Sequence, residues 1–258
     1  MQVSNSFSLE RSRLDLRFRF TTLVSREWIG PDYVRVRVQG DDLRGFGEGS
    51  GHDDHIRIFF PDDAPETVEE MREAPSREFT PLSWGDDWLD LEFAVHGDEG
   101  VAGVWAANAP IGSLLGVGGP RGTVTVSGAP GGWLLAGDET AIPQIRRYAA
   151  AIPVGADARI LVEVADAAHE VAIDAPVDVE YVLRDGAAPT TALIGRLDAL
   201  TAGDRPAGDV FAFIAAEQAV VKPGRALAVD RWGLDPDRIV VKGYWKADET
   251  GASYHAAH

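Results

Sequence analysis

The chain has 258 residues, 45% hydrophobic and 25% charged, with 41 acidic against 24 basic side chains and a formal net charge of −17. That length can bury a sizeable core and accommodate two domains. The acidic balance disfavours nucleic acid and anionic membrane surfaces, and the absence of cysteine excludes disulfides, iron–sulfur clusters, thiolate metal sites and cysteine nucleophiles.

The opening "MQVSNSFSLERSR" has no apolar stretch followed by small residues, so no signal peptide is expected and the chain reads as cytoplasmic. No apolar run is long enough to cross a bilayer, so no membrane insertion is expected. The first half then reads as β. "FRFTTLVSREWI", "DYVRVRVQG", "DHIRIFFP", "WLDLEFAVHG" and "RGTVTVSG" are short alternating runs separated by turn residues. In "VRVRVQG", Val34, Val36 and Val38 share one face and Arg35, Arg37 and Gln39 the other. With one helix expected over "GVAGVWAANA", these strands predict a small closed antiparallel barrel.

Near "SGAPGG" the period changes. "GWLLAG", "ARILVEVA", "DVEYVLRD" and "DVFAFIAA" lack polar alternation, as buried parallel strands do. Helical patterns lie between them in "AIPQIRRYAAAI", "TALIGRLDALTA" and "VKPGRALAVDRW". The chain is therefore expected to be a two-domain β plus α/β protein, a β-barrel over 1–128 followed by an α/β domain with a parallel sheet over 129–258.

Four stretches could carry chemistry. In "REFT", Arg77 could grip a pyrophosphate, Phe79 could stack on a flat ring and Thr80 could hydrogen-bond it. The same tetrapeptide also reads as an ordinary edge strand. "HGDEGVAGVWA" is a glycine-rich turn into a helix, whose first N–H groups suit phosphate. "GDETAIP" stands where a parallel strand meets a helix, a place where α/β sheets bind ligands, and Asp138 or Thr140 could equally cap that helix. Glu217 follows another buried strand, and "GYWK" closes the last one with Tyr244 and Trp245, which either close a core or cover a planar cofactor. Scattered histidines, with His52 and His55 the only close pair apart from His255 and His258 in the tail, predict no metal site.

"DDHIRIFFP", "REFT", "LEFAVHGDEGVAGVWA", "GPRG", "WLLAGDETAIPQI", "AAEQ" and "VVKGYWK" together resemble the siderophore-interacting proteins in order and spacing. That family consists of FAD-containing ferric-siderophore reductases within the ferredoxin-reductase-like flavoenzymes. The resemblance implies an FAD-binding barrel and an NAD(P)H-binding α/β domain. It implies that Arg77 holds the FAD pyrophosphate, with Phe79, Thr80, Pro81 and Leu82 at the isoalloxazine. His96, Gly97, Gly100, Ala102, Gly103 and Trp105 would hold the rest of FAD. Asp138, Glu139, Thr140 and Ala141 would line the flavin–nicotinamide cleft, with Glu217 near the nicotinamide and Tyr244 and Trp245 near the flavin. Thr80, Asp138 and Glu217 are the catalytic candidates. Arg121, Lys222, Arg225, Lys242 and Lys246 are candidates for a basic patch facing an anionic ferric siderophore.

Three departures from the family pattern, phenylalanine at Phe79, Pro81-Leu82 for Val-Arg and Gly103 for serine, all act against FAD retention, so loose FAD binding is expected. The implied activity is transfer of electrons from NAD(P)H through FAD to Fe³⁺, releasing Fe²⁺. The alternatives are a general NAD(P)H:flavin oxidoreductase and a siderophore-binding protein that has lost FAD. A protein electron donor stands as an alternative to NAD(P)H.

Overall fold

The computed structural model describes residues 7–95 and 100–247, and the backbone alone of 253–254. Two compact units are present: residues 11–125 in one, and the described residues of 1–10 and 126–258 in the other. Phe7 ties the first few residues to the second unit. Its ring meets Phe211 edge-on at 6.1 Å, and Arg238 lies over it at 5.3 Å.

Along the first part of the chain run β1 (Ser8–Arg13), β2 (Phe18–Gly30), β3 (Tyr33–Gln39), β4 (Asp53–Asp54), β5 (Ile56–Phe59), α1 (Val68–Glu73), β6 (Ser76–Phe79), β7 (Ser83–Trp84), β8 (Trp88–Ala94), α2 (Val101–Asn108), β9 (Leu114–Gly118) and β10 (Gly122–Ser127). Seven strands form one antiparallel sheet in the order β6-β5-β9-β2-β3-β8-β7. Within this unit β10 also pairs antiparallel with β4.

β3 shows how sequence dictates this sheet. Val34, Val36 and Val38 are fully buried in the core. Arg35 and Arg37 point the other way and stand opposite Glu92 and Asp90 of β8. Arg37 grips Asp90 with two bonds of 2.7 and 2.8 Å, and Arg35 donates to Glu92 at 2.6 Å. Opposite charges directly across a ladder fix its register, since a one-residue slip would bury the arginines and expose the valines.

The antiparallel sheet matches the reading of the sequence, but its ladder is not a closed barrel. Hydrogen bonding ends at β6 on one side and β7 on the other, leaving a curled half-barrel. These edge strands are consecutive in the chain and are joined through Thr80–Leu82, where Pro81 has no N–H to donate.

The second unit contains β11 (Gly132–Gly137), α3 (Ile142–Ala149), β12 (Asp157–Val164), β13 (Val179–Leu183), α4 (Thr191–Ala199), β14 (Val210–Glu217), α5 (Val221–Arg225, continuing as a π-helical turn over Ala226–Arg231) and β15 (Ile239–Ala247). The order is β13-β12-β11-β14-β15, all parallel. Every residue of β11 and β14 is buried, which explains their unbroken apolar sequences. Full burial of a side chain such as Phe213 contributes about 1.5–3 kcal/mol. The chain winds outward from β11 to β13 and then returns to place β14 on β11's other side. The carboxyl ends of β11 and β14 therefore flank a topological switch point.

Gly137 ends β11 at that switch point for a steric reason. A Cβ there would lie 2.5 Å from both the Ala141 Cβ and the Ala215 carbonyl oxygen of β14. Neither atom can retreat without disturbing the central strand pair. Gly137→Ala is expected to destabilise the protein by about 1–3 kcal/mol, read as a lower urea midpoint at unchanged slope.

Candidate active site

In the antiparallel unit, "REFTPL" forms the edge strand β6 and the turn leading to β7. Arg77 and Phe79 alternate on the face of their partners Ile58 and Ile56, which belong to the core. The half-buried Arg77 guanidinium donates only to the neighbouring Ser76 carbonyl, at 2.8 Å, and has no carboxylate partner among the described residues. Thr80 is 6% exposed, and its hydroxyl has no protein partner among the described residues. Pro81 is buried, and the half-buried Leu82 ties back through its N–H to the Asp90 carbonyl at 3.1 Å.

Phe79 does more than present a ring edge. It packs 4.5 Å from Phe93 and 6.5 Å from Phe60, and both of those rings meet Trp105 of α2. This aromatic cluster joins the "REFT" strand to the helix of the glycine-rich segment, and α2 packs against β6.

The N-cap of α2 is Gly100 at φ 80°, and among the described residues no side chain caps the N–H groups of the first turn. Ala102 is buried and Gly103 half-buried in that turn. At the other end Arg26 donates to the carbonyls of Ala106 and Ala109, the latter at 2.6 Å, and so satisfies the helix C-terminus. His96 and Gly97 lie outside the described residues. A guanidinium without a carboxylate and a helix start without a side-chain cap in one unit are a donor set that fits a pyrophosphate-bearing cofactor. A Cβ on Gly103 would meet Val95 Cα at 3.6 Å, an ordinary contact, so a larger residue would fit there and the turn does not require glycine.

In the parallel unit the sequence candidates converge at the switch point. Asp138, 1% exposed, follows β11 directly. Its Oδ1 accepts from the Thr140 N–H at 3.0 Å and from the Thr140 hydroxyl. Its Oδ2 accepts from the Glu217 N–H at 3.1 Å and from the Trp245 indole at 2.8 Å. One carboxylate thus fastens the ends of β11, β14 and β15. Burial, with the Glu139 charge adding, pushes the Asp138 carboxyl up to about 7, against the hydrogen bonds from Thr140 and Trp245.

The sign of the resulting pH dependence follows. The folded acid keeps a proton that the unfolded chain releases near pH 4, so its contribution is fully present below that pH and is lost as pH rises toward 7. Thermal melts at pH 5 and pH 8 are expected to show a larger drop for the wild type than for Asp138→Asn. Parallel losses would remove this assignment.

Glu217 is 8% exposed and accepts from the Ala219 N–H at 2.6 Å and the Ala247 N–H at 3.3 Å. Tyr244 is half-buried with its ring 6.4 Å from Phe213, whereas Trp245 is buried on Asp138. Ala141 is fully buried under the turn. Gly243 lets β15 approach Gln218, whose Cα would stand 2.9 Å from an added Cβ.

Glu139 belongs to a network that the sequence reading missed. Its carboxylate pairs with Arg184, which also donates to Glu163 at 3.2 Å. Glu163 is fully buried and accepts from the Thr190 and Leu193 N–H groups at 2.6 and 2.7 Å, fixing the start of α4. The only signal was an acid in the apolar run "ILVEVA".

Of the proposed basic patch, Lys222 and Arg225 are exposed on α5, three residues apart and so on one face. Lys246 is exposed at the end of β15, and Lys242 is half-buried in the same strand. Arg121 is exposed on the antiparallel unit.

A curled antiparallel sheet followed by a parallel sheet with a topological switch point is the ferredoxin-reductase-like fold. The siderophore-interacting FAD-binding domain model matches residues 22–124, and the siderophore-interacting protein model matches residues 131–248. The NADPH-dependent ferric-chelate reductase of Escherichia coli is 34% identical, over 92% of this chain and 96% of that protein. The ferric vibriobactin reductase ViuB of Vibrio cholerae is 27% identical, over 92% of each. The crystal structure of a siderophore utilization protein from T. fusca superposes with a TM-score of 0.81 at 31% identity, covering 96% of this chain and all of that one. This chain belongs to the siderophore-interacting protein family.

Proposed function

We propose that the protein reduces the iron of a ferric siderophore with electrons from NAD(P)H, using FAD held on the antiparallel unit. The observation that supports this reading best is the Arg77 guanidinium, bonded to the Ser76 carbonyl but to no carboxylate among the described residues, in the same unit as the start of α2, which has no side-chain cap. A half-buried cation without a carboxylate and a helix start without a cap are both costly unless an anion completes them.

Bound FAD supplies the conversion between a two-electron hydride donor and a one-electron metal acceptor. The side chains of the protein bind and orient. Arg77 holds a pyrophosphate, and the N–H groups at Gly100, Ala102 and Gly103 support it. Phe79, Thr80, Pro81 and Leu82 present the ring-facing edge, with the Thr80 hydroxyl as its hydrogen-bonding group. On the parallel unit NAD(P)H is assigned to the switch point between β11 and β14, bordered by Glu139, Thr140, Ala141, Glu217, Tyr244 and Trp245. Asp138, raised to about 7 by burial, can take up or release a proton there near neutral pH. Lys222, Arg225 and Lys246 of the parallel unit are assigned to the anionic chelate.

Siderophores bind Fe³⁺ through hard oxygen donors, and the lower charge of Fe²⁺ weakens that grip and frees the metal. We place this reaction in the cytoplasm with NAD(P)H as donor; among the described residues no helix is long and apolar enough to cross a membrane. Turnover with a ferric siderophore should exceed turnover with free FMN as electron acceptor. Equal rates would favour the general flavin reductase instead, and activity only with an added reduced ferredoxin would favour a protein donor.

A further inference from the structure

The antiparallel unit holds a polar cleft whose lining includes none of the residues assigned above, though Arg121 adjoins it through Pro120 and the Leu14 N–H. Its volume is about 260 Å³, and its charged lining is Arg13, Arg17 and Arg19 against Asp15 and Glu48. The balance is three cations to two acids, a locally positive site on a chain of net charge −17. None of these five side chains forms an ion pair with another described residue.

Arg19 is the informative member. It is 4% exposed, yet among the described residues no carboxylate is in ion-pair contact with it. Its Nη1 donates to the Gly119 carbonyl at 2.7 Å, its guanidinium lies 5.0 Å from the centre of the Phe46 ring, and its Nε has no acceptor. Burial, then the charge of Arg17, lowers its pKa from the ordinary arginine value, with Asp42 acting against them. A buried guanidinium held by one carbonyl and a ring face, with a second cation nearby, is a strained electrostatic arrangement that an anion would relieve. The exposed side chains of Arg13 and Arg17, which make no hydrogen bond or ion pair among the described residues, can turn toward such a guest.

We propose that this cleft is an oxyanion subsite that takes a carboxylate or phosphate group of a small-molecule ligand. Its volume is below the range of pockets that enclose a whole drug-sized ligand, so it suits one charged group of a larger molecule or a small free anion. The planar fork of arginine matches both carboxylate and phosphate oxygens.

The test uses the full chain loaded with FAD and two iron-free probes, citrate and inorganic phosphate, followed by isothermal titration. Neither probe needs electron transfer, so the result is independent of the reductase reading. Saturable binding is expected, weakened at least about tenfold in Arg17→Glu and in Arg13→Glu, with both variants melting as the wild type does. Tighter binding of citrate would assign the site to a carboxylate-bearing ligand, and tighter binding of phosphate to a phosphorylated one. No binding of either probe to the wild type, or binding unchanged in both variants, would overturn the proposal.

Discussion

Replacing Arg184 by alanine is expected to lower stability by about 3–5 kcal/mol, the usual cost of removing one partner from a buried ion pair. The arginine stands between Glu139 and Glu163, and the Glu163 side chain is fully buried. Without the guanidinium, the Glu163 carboxylate keeps only its two N–H bonds at the start of α4. Those bonds and the helix dipole offset part of the desolvation and not all of it. At about 2–4 °C per kcal/mol for a chain of this size, the melting midpoint should fall by roughly 6–20 °C. Arg184→Lys keeps the charge but cannot fork to two acids, so its loss should be intermediate. A double variant with Glu139→Gln should lose less than the two singles added together, because the groups share one network. A shift of no more than about 2 °C for Arg184→Ala would show that the network contributes little.

Arg77→Ala is expected to weaken FAD binding by about 10- to 100-fold, the equivalent of one charge-assisted bond of about 1.5–3 kcal/mol. The protein itself should scarcely notice, because Arg77 makes only the local bond to Ser76. Flavin fluorescence titration measures the first effect, and a melt of the FAD-free protein measures the second. Arg77→Lys should recover part of the affinity, since it restores charge without the fork. An unchanged FAD affinity in Arg77→Ala would remove this residue from the phosphate site. A large fall in the FAD-free melting point would mean that its role is structural.

Much of this architecture is legible because its cause is local. The alternation of "VRVRV" comes from one buried and one solvated face of β3, and "GWLLAG" and "VFAFIAA" are apolar throughout because both faces of their strands are covered. The α2 helix follows from its glycine-rich entry. The six-residue α1 helix, capped by a Thr67–Glu70 box, is too short to show a helical period in the sequence. Closure of the sheet was not legible, because whether two edge strands meet depends on curl accumulated over the whole ladder.

The site divides along the same line. Capping by Asp138 is readable from "GDET", whereas its bond to Trp245 spans 107 residues and leaves no local trace. The two acids of that turn therefore have separate roles. Asp138 fastens three strand ends together, and Glu139 neutralises Arg184. The glycine before them serves close packing against β14. Glu163 and Arg184 were missed because a charged residue in an apolar strand becomes meaningful only once its partner, 21 residues away, is placed beside it.

The most direct measurement is anaerobic and stoichiometric. The purified protein, with and without added FAD, is mixed with NAD(P)H and a ferric siderophore in the presence of a ferrous-specific chelator. Two ferrous ions per NAD(P)H are expected, with no ferrous iron when FAD is left out. Ferrous iron formed at the same rate without FAD, or nicotinamide oxidised with no ferrous iron formed, would contradict a flavin-dependent ferric-siderophore reductase.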